Sequence, residues 1–581
     1  MKIPPDLKKM LNGEHGSTKQ KAASLVIDLA STAGVDEFIR CDNAHVSGVS
    51  PLTGGHGLRR FLEDLAGDDK AHVEIPTTLN SAGCDKEKMK EMDIQTKDFL
   101  EQQFEIIHSY SKLGIDATLS CTPYDRGMEI EGIGSWAESN AVAFSNSYTS
   151  LITNRESGLS ALSTALTGWA PKWGLHLKEN RVPNIHVVVD CELEYITDWS
   201  ILGDWIGKQI QAEWKLPWGM MPYITGLPKT HSFEQKKALT AAAANYGCPM
   251  LWAEGITKNP NLNQTWVPQG KLIFTHDDLM NRYDELSPSG QVDLVVIGCP
   301  QASVGEVRVT AAIVRNLMEL GFKIPNQRLW VFTNGYNYNI LEQDGSLKIL
   351  EEAGALILKD TCPEVTPYNR TKYNHILTNS LKAEHYLTSG LNRMPTSVMR
   401  ISDCVNHAFN PDLSKGTRPN LASKIKDTFI SNKKIKSGEL FSKGSGLPSQ
   451  KEWVVKGKAL VTDVPITYLG YVNRDSGVIE EPGHPLDGCS IENTILIYPK
   501  GSGSTVAPFV LMGLIYTGKG PMAIINTDVC PLTLPACSLL NLPYAYAMSE
   551  DLCIQINTGD EIEMNLSNGL VSLEVLERIT G

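Results

Sequence analysis

Three of the chain's twelve cysteines stand in surroundings that suit metal chemistry. Cys121, Cys299 and Cys362 each follow a short apolar run, and each has a proline one or two positions later. Proline fixes its own φ and disfavours helix in the residue before it, so these thiols are predicted on stiff turns at the carboxyl ends of strands. Open α/β sheets bind ligands at that edge, and thiolates on rigid loops suit iron–sulfur ligation. Three thiolates predict a cluster with one iron open to a substrate oxygen.

The alternative for each cysteine is a small buried hydrophobe, the commoner state of a lone cysteine. Cys248-Pro249 and Cys530-Pro531 repeat the Cys-Pro step, so that step alone does not identify a ligand. A zinc-stabilised scaffold is a further rival, although the chain has no C-x-x-C pair and no H-E-x-x-H. The pattern leaves the cluster and the buried hydrophobes about equally favoured.

A Gly/Ser-rich segment, Pro499–Thr505, lies between a strand-like run and a helix-like one. A turn that leads into a helix N-terminus presents backbone N–H groups and the positive end of the helix dipole, which favour an anion. Ser504 is placed to remove a proton from carbon as the general base of an elimination. A flexible turn without function explains the same composition.

Alternating strand and helix signals must position these groups in the large N-terminal part. Val292–Ile297, Leu329–Phe332 and Ala355–Leu358 are apolar strand signals, and Ser303 with Glu306 forms a capping box for a helix over Val307–Leu320. A further helix-prone stretch runs from Tyr338 to Ala353. This order predicts parallel strands with helical crossovers, an α/β architecture.

A Lys/Ser/Gly-rich stretch, Asn432–Lys458, reads as a linker. Beyond it, short strand signals alternate with Gly and Pro around one helix-like run at Ala507–Tyr516. We therefore predict a large α/β region at 1–430, a linker at 431–456 and a smaller β-rich domain at 457–581. A cleft between two such domains is a frequent place for an active site.

Composition narrows the class of partner. The formal net charge of −13 and the absence of a basic stripe argue against non-specific nucleic-acid binding. The longest apolar run, Phe509–Tyr516, is too short to span a bilayer, and the N-terminus has no signal-peptide core. We expect a cytoplasmic protein, a monomer or small homo-oligomer, that acts on a small molecule.

The sequence resembles the aconitase X family along nearly its whole length. In the large part the resemblance rests on Ala44–Ser50, Ile75–Gly83, Ser120–Tyr124, Trp136–Ala141, Thr153–Glu156, Gly298–Pro300, Asp360–Pro363 and Thr378–Lys382. In the small part it rests on Gly457–Leu460, His484–Gly488 and Gly501–Ser504. The resemblance implies an aconitase-like multi-layer α/β catalytic region followed by a swivelling domain.

The resemblance also implies roles for particular residues. Cys121, Cys299 and Cys362 fall on the family's iron–sulfur ligands, and Ser504 falls on its catalytic base. The residues expected to line the substrate cleft are His45, Ser47, Asn154, Arg155, Gly503 and Thr505. For His45 a structural role is an equal alternative, whereas Arg155 is favoured as a bidentate clamp on a substrate carboxylate.

By resemblance, the activity is an iron–sulfur-dependent dehydratase that removes water from a small hydroxy acid. Single-chain members of the family resemble cis-3-hydroxy-L-proline dehydratases, whose product is Δ1-pyrroline-2-carboxylate. Mevalonate 5-phosphate dehydratase is the alternative substrate assignment, and a non-catalytic iron–sulfur RNA regulator is the alternative class. Ser502 stands where the family often has arginine, which puts the substrate's identity in doubt.

Overall fold

The computed structural model describes residues 1–94, 96–127, 130–212, 218–257, 268, 270–389, 391–414 and 440–578. Three parallel sheets with helical crossovers and one closed barrel account for most of the regular structure. Every named pair of adjacent strands within the three open sheets is parallel. This arrangement confirms the predicted α/β class with a smaller β-rich domain at the C-terminal end.

The first unit contains a four-stranded sheet in the order β3-β2-β4-β5 and a separate antiparallel pair, β1-β6. Its elements are α1 (Pro5–Leu11), α2 (Ser17–Thr32), β1 (Phe38–Arg40), β2 (Asn43–Val46), α3 (Pro51–Ala66), β3 (Thr77–Leu79), α4 (Lys97–Lys112), β4 (Glu131–Trp136), α5 (Ser139–Tyr148), β5 (Ser150–Arg155), α6 (Gly158–Thr167) and β6 (Trp169–Pro171).

The second and third units each contain one parallel sheet, in the orders β10-β7-β8-β9 and β13-β12-β11-β14-β15. The second comprises β7 (Ile185–Asp190), α7 (Ile196–Ala212), β8 (Pro222–Thr225), α8 (Phe233–Ala244), β9 (Trp252–Ala253), β10 (Lys271–Thr275) and α9 (His276–Leu286). The third comprises β11 (Leu294–Ala302), α10 (Val304–Glu319), β12 (Leu329–Thr333), α11 (Gly335–Gln343), α12 (Ser346–Glu352), β13 (Leu356–Lys359), β14 (Ile376–Thr378), α13 (Leu381–Ser389), β15 (Thr396–Val398) and α14 (Ile401–Phe409).

The fourth unit is a closed barrel in the order β16-β20-β19-β18-β17-β21-β22. Its elements are β16 (Phe441–Gly446), β17 (Trp453–Val461), α15 (Tyr468–Tyr471), β18 (Ile495–Tyr498), α16 (Ala507–Tyr516), β19 (Ala523–Asn526), α17 (Leu534–Leu539), β20 (Tyr544–Tyr546), α18 (Leu552–Gln555), β21 (Glu561–Ser567) and β22 (Leu570–Glu577). Closure leaves the barrel without an exposed strand edge.

The barrel shares a hydrophobic core with the first unit. Leu58 and Phe61 of α3 belong to the same buried cluster as Phe509 and Met512 of α16. The two helices approach closely because glycines face each other: a Cβ on Gly57 would lie 2.9 Å from the Cα of Gly513. The barrel is thus held against the first unit by apolar packing.

Two sequence predictions need correction. Residues 431–439 of the predicted linker lie outside the described part, but 440–456 contain β16 and the beginning of β17, so this stretch belongs to the barrel. The helix-prone stretch from Tyr338 to Ala353 falls in two helices, α11 and α12, because Gly345 adopts a left-handed φ of 82° between them. The strands β11, β12 and β13 and the capping box of α10 agree with the prediction.

No helix within the described ranges is long and apolar enough to cross a membrane.

Candidate active site

The three cysteines and Ser504 line one cavity between the first unit, the third unit and the barrel. Cys362 follows β13, and Cys299 lies in the irregular last part of β11. Cys121 differs from the prediction, because it follows an extended segment that meets β3 only through an isolated bridge at Asp116 and a hydrogen bond from Ser120. All three thiols are at least 94% buried, with exposed fractions of 3%, 6% and 6%.

The thiols contact one another and an acidic neighbour. The thiols of Cys121 and Cys362 are hydrogen-bonded to each other. Cys299 Sγ donates to Glu364 Oε1 at 2.8 Å. Burial raises the pKa of the Cys299 thiol well above its usual value, and the bond to Cys121 followed by burial does the same for Cys362. Without a cation nearby, the pair Cys299 and Cys362 is held protonated.

Gln301 connects the three cysteine segments. Its Oε1 accepts from the backbone N–H of Cys121 at 3.1 Å, and its own N–H donates to Cys121 Sγ at 3.4 Å. Its Nε2 donates to the carbonyls of Leu119 at 3.2 Å and of Thr361 at 3.1 Å. Because Gln301 also lies two residues after Cys299, one side chain fixes the relative positions of all three thiols.

Lys237 supports this arrangement from the second unit. Its buried ammonium donates to the carbonyls of Pro300 at 3.4 Å and Gln301 at 3.0 Å, and it is paired with Glu306. Burial disfavours the charged form, but Glu306 outweighs it and raises the pKa of Lys237. The Cys299 segment is therefore held by a charged group that stays protonated.

A buried ion cluster forms the polar wall of the cavity. Lys382 Nζ lies 3.2 Å from Glu138 Oε1 and 3.8 Å from Glu364 Oε1, and it stands over the ring of Tyr386 at 4.9 Å. Burial opposes the charged form of Lys382, but Glu138 and then Glu364 raise its pKa well above the usual value. Burial raises the pKa of Glu364. The hydroxyl of Tyr386 and Asn80 Oδ1 have no hydrogen-bond partner.

The loop that carries Ser504 is held from the first unit. The Arg155 guanidinium donates to the carbonyl of Gly503, which has a left-handed φ of 78°. Ser47 Oγ lies 3.5 Å from Thr505 Oγ1, and Thr505 O accepts from the N–H of Gly158 at 3.0 Å. These contacts fix the segment just before α16 against β5 and α6.

The other residues expected at the cleft lie around the cavity rather than on its surface. Burial lowers the pKa of His45 to about 4, and its Nδ1 bonds Thr78 Oγ1 at 2.8 Å. Asn154 Oδ1 accepts from the N–H of Leu175 at 2.7 Å, which indicates a structural bond. Asn154 and Arg155 line a second cavity next to Lys500. Direct contacts of these residues with substrate remain proposals.

Sequence reasoning missed several residues of the site. Glu138, Asn80 and Lys382 lie inside segments that carry the family resemblance, and that placement was the available signal. Glu364 stands two positions after Cys362. Gln301 carried no signal of its own, because its importance comes from contacts with segments about 60 and 180 residues away along the chain.

The donor set fits an iron–sulfur cluster. Cys121, Cys299 and Cys362 supply soft sulfur donors on segments from two sheets, in a buried cavity where a cationic cluster would offset the cost of ionising the thiols. Among the described residues, no three His, Cys, Asp or Glu side chains converge to hold a single metal ion. A zinc scaffold needs such convergence. Cysteines of a cluster bind different irons and do not.

Comparison with protein families matches four models in chain order. Residues 1–179 match the aconitase X first domain, 183–284 the second, 292–410 the third and 449–573 the aconitase X swivel domain. These bounds agree with the three sheets and the barrel.

Individual relatives agree with the family match. The large subunit of phosphomevalonate dehydratase from Methanocaldococcus jannaschii is 33% identical over 67% of this chain and 96% of its own. Its counterpart small subunit from Methanosarcina acetivorans is 31% identical over 20% of this chain and 82% of its own. Cis-3-hydroxy-L-proline dehydratase from Pseudomonas aeruginosa is 30% identical over 69% of this chain and 68% of its own.

A solved structure agrees as well. The crystal structure of Thermococcus kodakaraensis aconitase X superposes with a TM-score of 0.62 at 30% identity, and the match covers 70% of this chain and 99% of that one. The four domain matches, the relatives and the shared fold converge, and the chain belongs to the aconitase X family of dehydratases.

Proposed function

We propose that this chain is an iron–sulfur-dependent dehydratase that removes water from a small hydroxy acid. The observation that carries the proposal is the shared cavity, in which Cys121, Cys299 and Cys362 face Ser504 across the boundary between the body and the barrel. A bound cluster would supply a Lewis acid for the departing hydroxyl.

The chain's own residues would perform the other half of the elimination. Ser504 Oγ is proposed to take the proton from the carbon next to the carboxylate. Lys382 keeps its charge beside the reacting groups, where it can hold a carboxylate or stabilise the negative charge that develops on it. Packing of α16 on α3 excludes water from the reaction.

We propose cis-3-hydroxy-L-proline as the substrate, with Δ1-pyrroline-2-carboxylate as the product. Glu138 and Glu364 accompany a single cation, Lys382, in the cavity. A substrate with a ring ammonium beside its carboxylate suits two acids and one base better than a substrate with several negative charges does. The named relative from Pseudomonas aeruginosa supports the same assignment.

Mevalonate 5-phosphate is the second candidate, and one specific finding favours it. Residues in both the body and the barrel are similar to a large and a small subunit, respectively, of phosphomevalonate dehydratase. Under either assignment, one polypeptide contains the regions similar to both subunits. We therefore propose a monomer or small homo-oligomer without a separate small subunit.

An RNA regulator is the least favoured alternative, since the chain's net charge of −13 would repel phosphates. All twelve cysteines lie in the described part and are free thiols, which supports our proposal of a cytoplasmic, reducing location.

Anaerobic assays of reconstituted protein with the two substrates side by side test the assignment. We expect turnover of cis-3-hydroxy-L-proline and little or none of mevalonate 5-phosphate. The reverse result would move the assignment to the second candidate. Turnover of neither would defeat both substrate proposals.

A further inference from the structure

A second cavity lies where the first unit, the second unit and the barrel meet. Asn154, Arg155 and Trp173 line it from the first unit, Trp218 from the second, and Lys500 and Gly501 from the barrel. It is separate from the thiol cavity, although the Gly501–Ser504 loop contributes residues to both.

The charge of this second cavity is positive. Arg155 and Lys500 are the charged residues among those that line it, and no acidic residue of the described chain lines it. Asp528 approaches Lys500 at 3.9 Å, and its side chain is 50% exposed. The thiol cavity has the opposite balance, with two glutamates and one lysine. The two cavities therefore favour ligands of different charge.

The second cavity also presents unsatisfied donors. Arg155 Nε and Trp218 Nε1 are buried and have no hydrogen-bond partner. Buried donors without acceptors are rare because their lost hydration is not replaced. Two such donors beside a cavity that no acid lines call for acceptors from a ligand. Burial lowers the pKa of Arg155 and of Lys500, and an anion would offset that cost.

We infer that this second cavity binds an oxyanion, either a carboxylate or a phosphate. Arg155 and Lys500 provide the charge, and Trp218 Nε1 provides a directed donor. Because the cavity's walls come from three units, a bound anion would also hold the barrel against the body. The inference does not depend on which hydroxy acid is the substrate, since it concerns binding and not turnover.

Calorimetric titration of the holoenzyme with inorganic phosphate at low ionic strength tests the inference. We expect saturable binding that weakens roughly tenfold in Lys500→Met, which keeps the aliphatic stem, as expected for one lost charge-assisted hydrogen bond. Trp218→Phe keeps the ring but removes the N–H, and we expect a loss of similar size. Lys519→Met is the matched control, because Lys519 pairs with Glu492 at 2.9 Å elsewhere on the barrel.

Competition then identifies the source of the anion. Displacement of phosphate by mevalonate 5-phosphate would place a substrate phosphate in the cavity, and displacement by cis-3-hydroxy-L-proline would place a carboxylate there. Phosphate binding that neither displaces would assign the cavity to a free anion. No detectable binding at about 10 mM phosphate, or equal binding by Lys500→Met, Trp218→Phe and the unmodified protein, would overturn the inference.

Discussion

Single residues differ in how visible they are to sequence reasoning. Cys121, Cys299, Cys362 and Ser504 could be predicted as a set because their types allow one chemistry and their neighbours place them on turns. The structure brings all four to one cavity. Gln301 could not be predicted, because its side chain acts through backbone groups that only the fold brings near.

Gln301→Glu should weaken cluster retention. The change replaces the amide donor with an oxygen, which would then face the carbonyls of Leu119 and Thr361 without a proton to share. We expect iron content after anaerobic reconstitution to fall severalfold while far-UV circular dichroism is unchanged. Gln235→Glu is the control, because its Oε1 accepts from Ser232 and a carboxylate can do the same. Full iron content in Gln301→Glu would refute the role.

Ser504→Ala should separate chemistry from cluster binding. Loss of the general base should lower kcat by about 10²–10⁴-fold, while iron and sulfide content stay normal. Ser502→Ala is the control on the same loop, because Ser502 Oγ bonds Thr467 Oγ1 at 2.7 Å in the barrel instead of facing the thiols. Near-normal turnover by Ser504→Ala would assign the base to another residue.

At the scale of elements, the strong apolar strands of the third unit could be predicted and β16 could not. The inward positions of β16 are Ser442, Gly444 and Gly446, so the strand lacks the apolar alternation that identifies a half-buried strand. Gly444 is small because Met548 and the backbone of Tyr546 lie against it. A Lys/Ser/Gly composition therefore indicated a linker where the barrel needs close packing.

Gly57→Ala should weaken the contact between α3 and α16. The added Cβ would meet the Cα of Gly513 at 2.9 Å and the Tyr516 ring at 3.1 Å, and backbone cannot move aside as a side chain can. We expect a loss of about 1–3 kcal/mol in the free energy of unfolding, measured by urea denaturation. Gly290→Ala, where no atom lies within 4 Å, should be nearly neutral. Equal stability of both variants would argue against close helix packing.

At the scale of the whole molecule, an acidic group joins the body to the barrel. Asp28 of α2 accepts hydrogen bonds from the N–H and hydroxyl of Ser449 and from Ser538 Oγ at 2.7 Å. Burial raises the pKa of Asp28 to about 6, although these bonds partly oppose the shift. The relation between the units is visible only in the fold, because its partners lie more than 400 residues along the chain.

Asp28→Asn should remove a pH dependence of stability. The native state binds the proton of Asp28 more tightly than the unfolded chain, so this group's contribution is present below about pH 4 and is lost as pH rises through about 6. The lost contribution is about 3 kcal/mol by the same linkage. Asparagine resembles the neutral acid, and we expect the difference in unfolding free energy between variant and unmodified protein to grow across this interval. A difference independent of pH would contradict the assignment.

The central claim is that three thiolates of this chain hold an iron–sulfur cluster beside Ser504. Iron and labile-sulfide content, measured together with turnover on anaerobically reconstituted protein and on Cys299→Ser, tests it most directly. We predict that the unmodified protein contains iron and sulfide and is active, and that Cys299→Ser loses both the cluster and the activity. Full turnover by protein that contains neither iron nor sulfide, or normal iron content in Cys299→Ser, would contradict the claim.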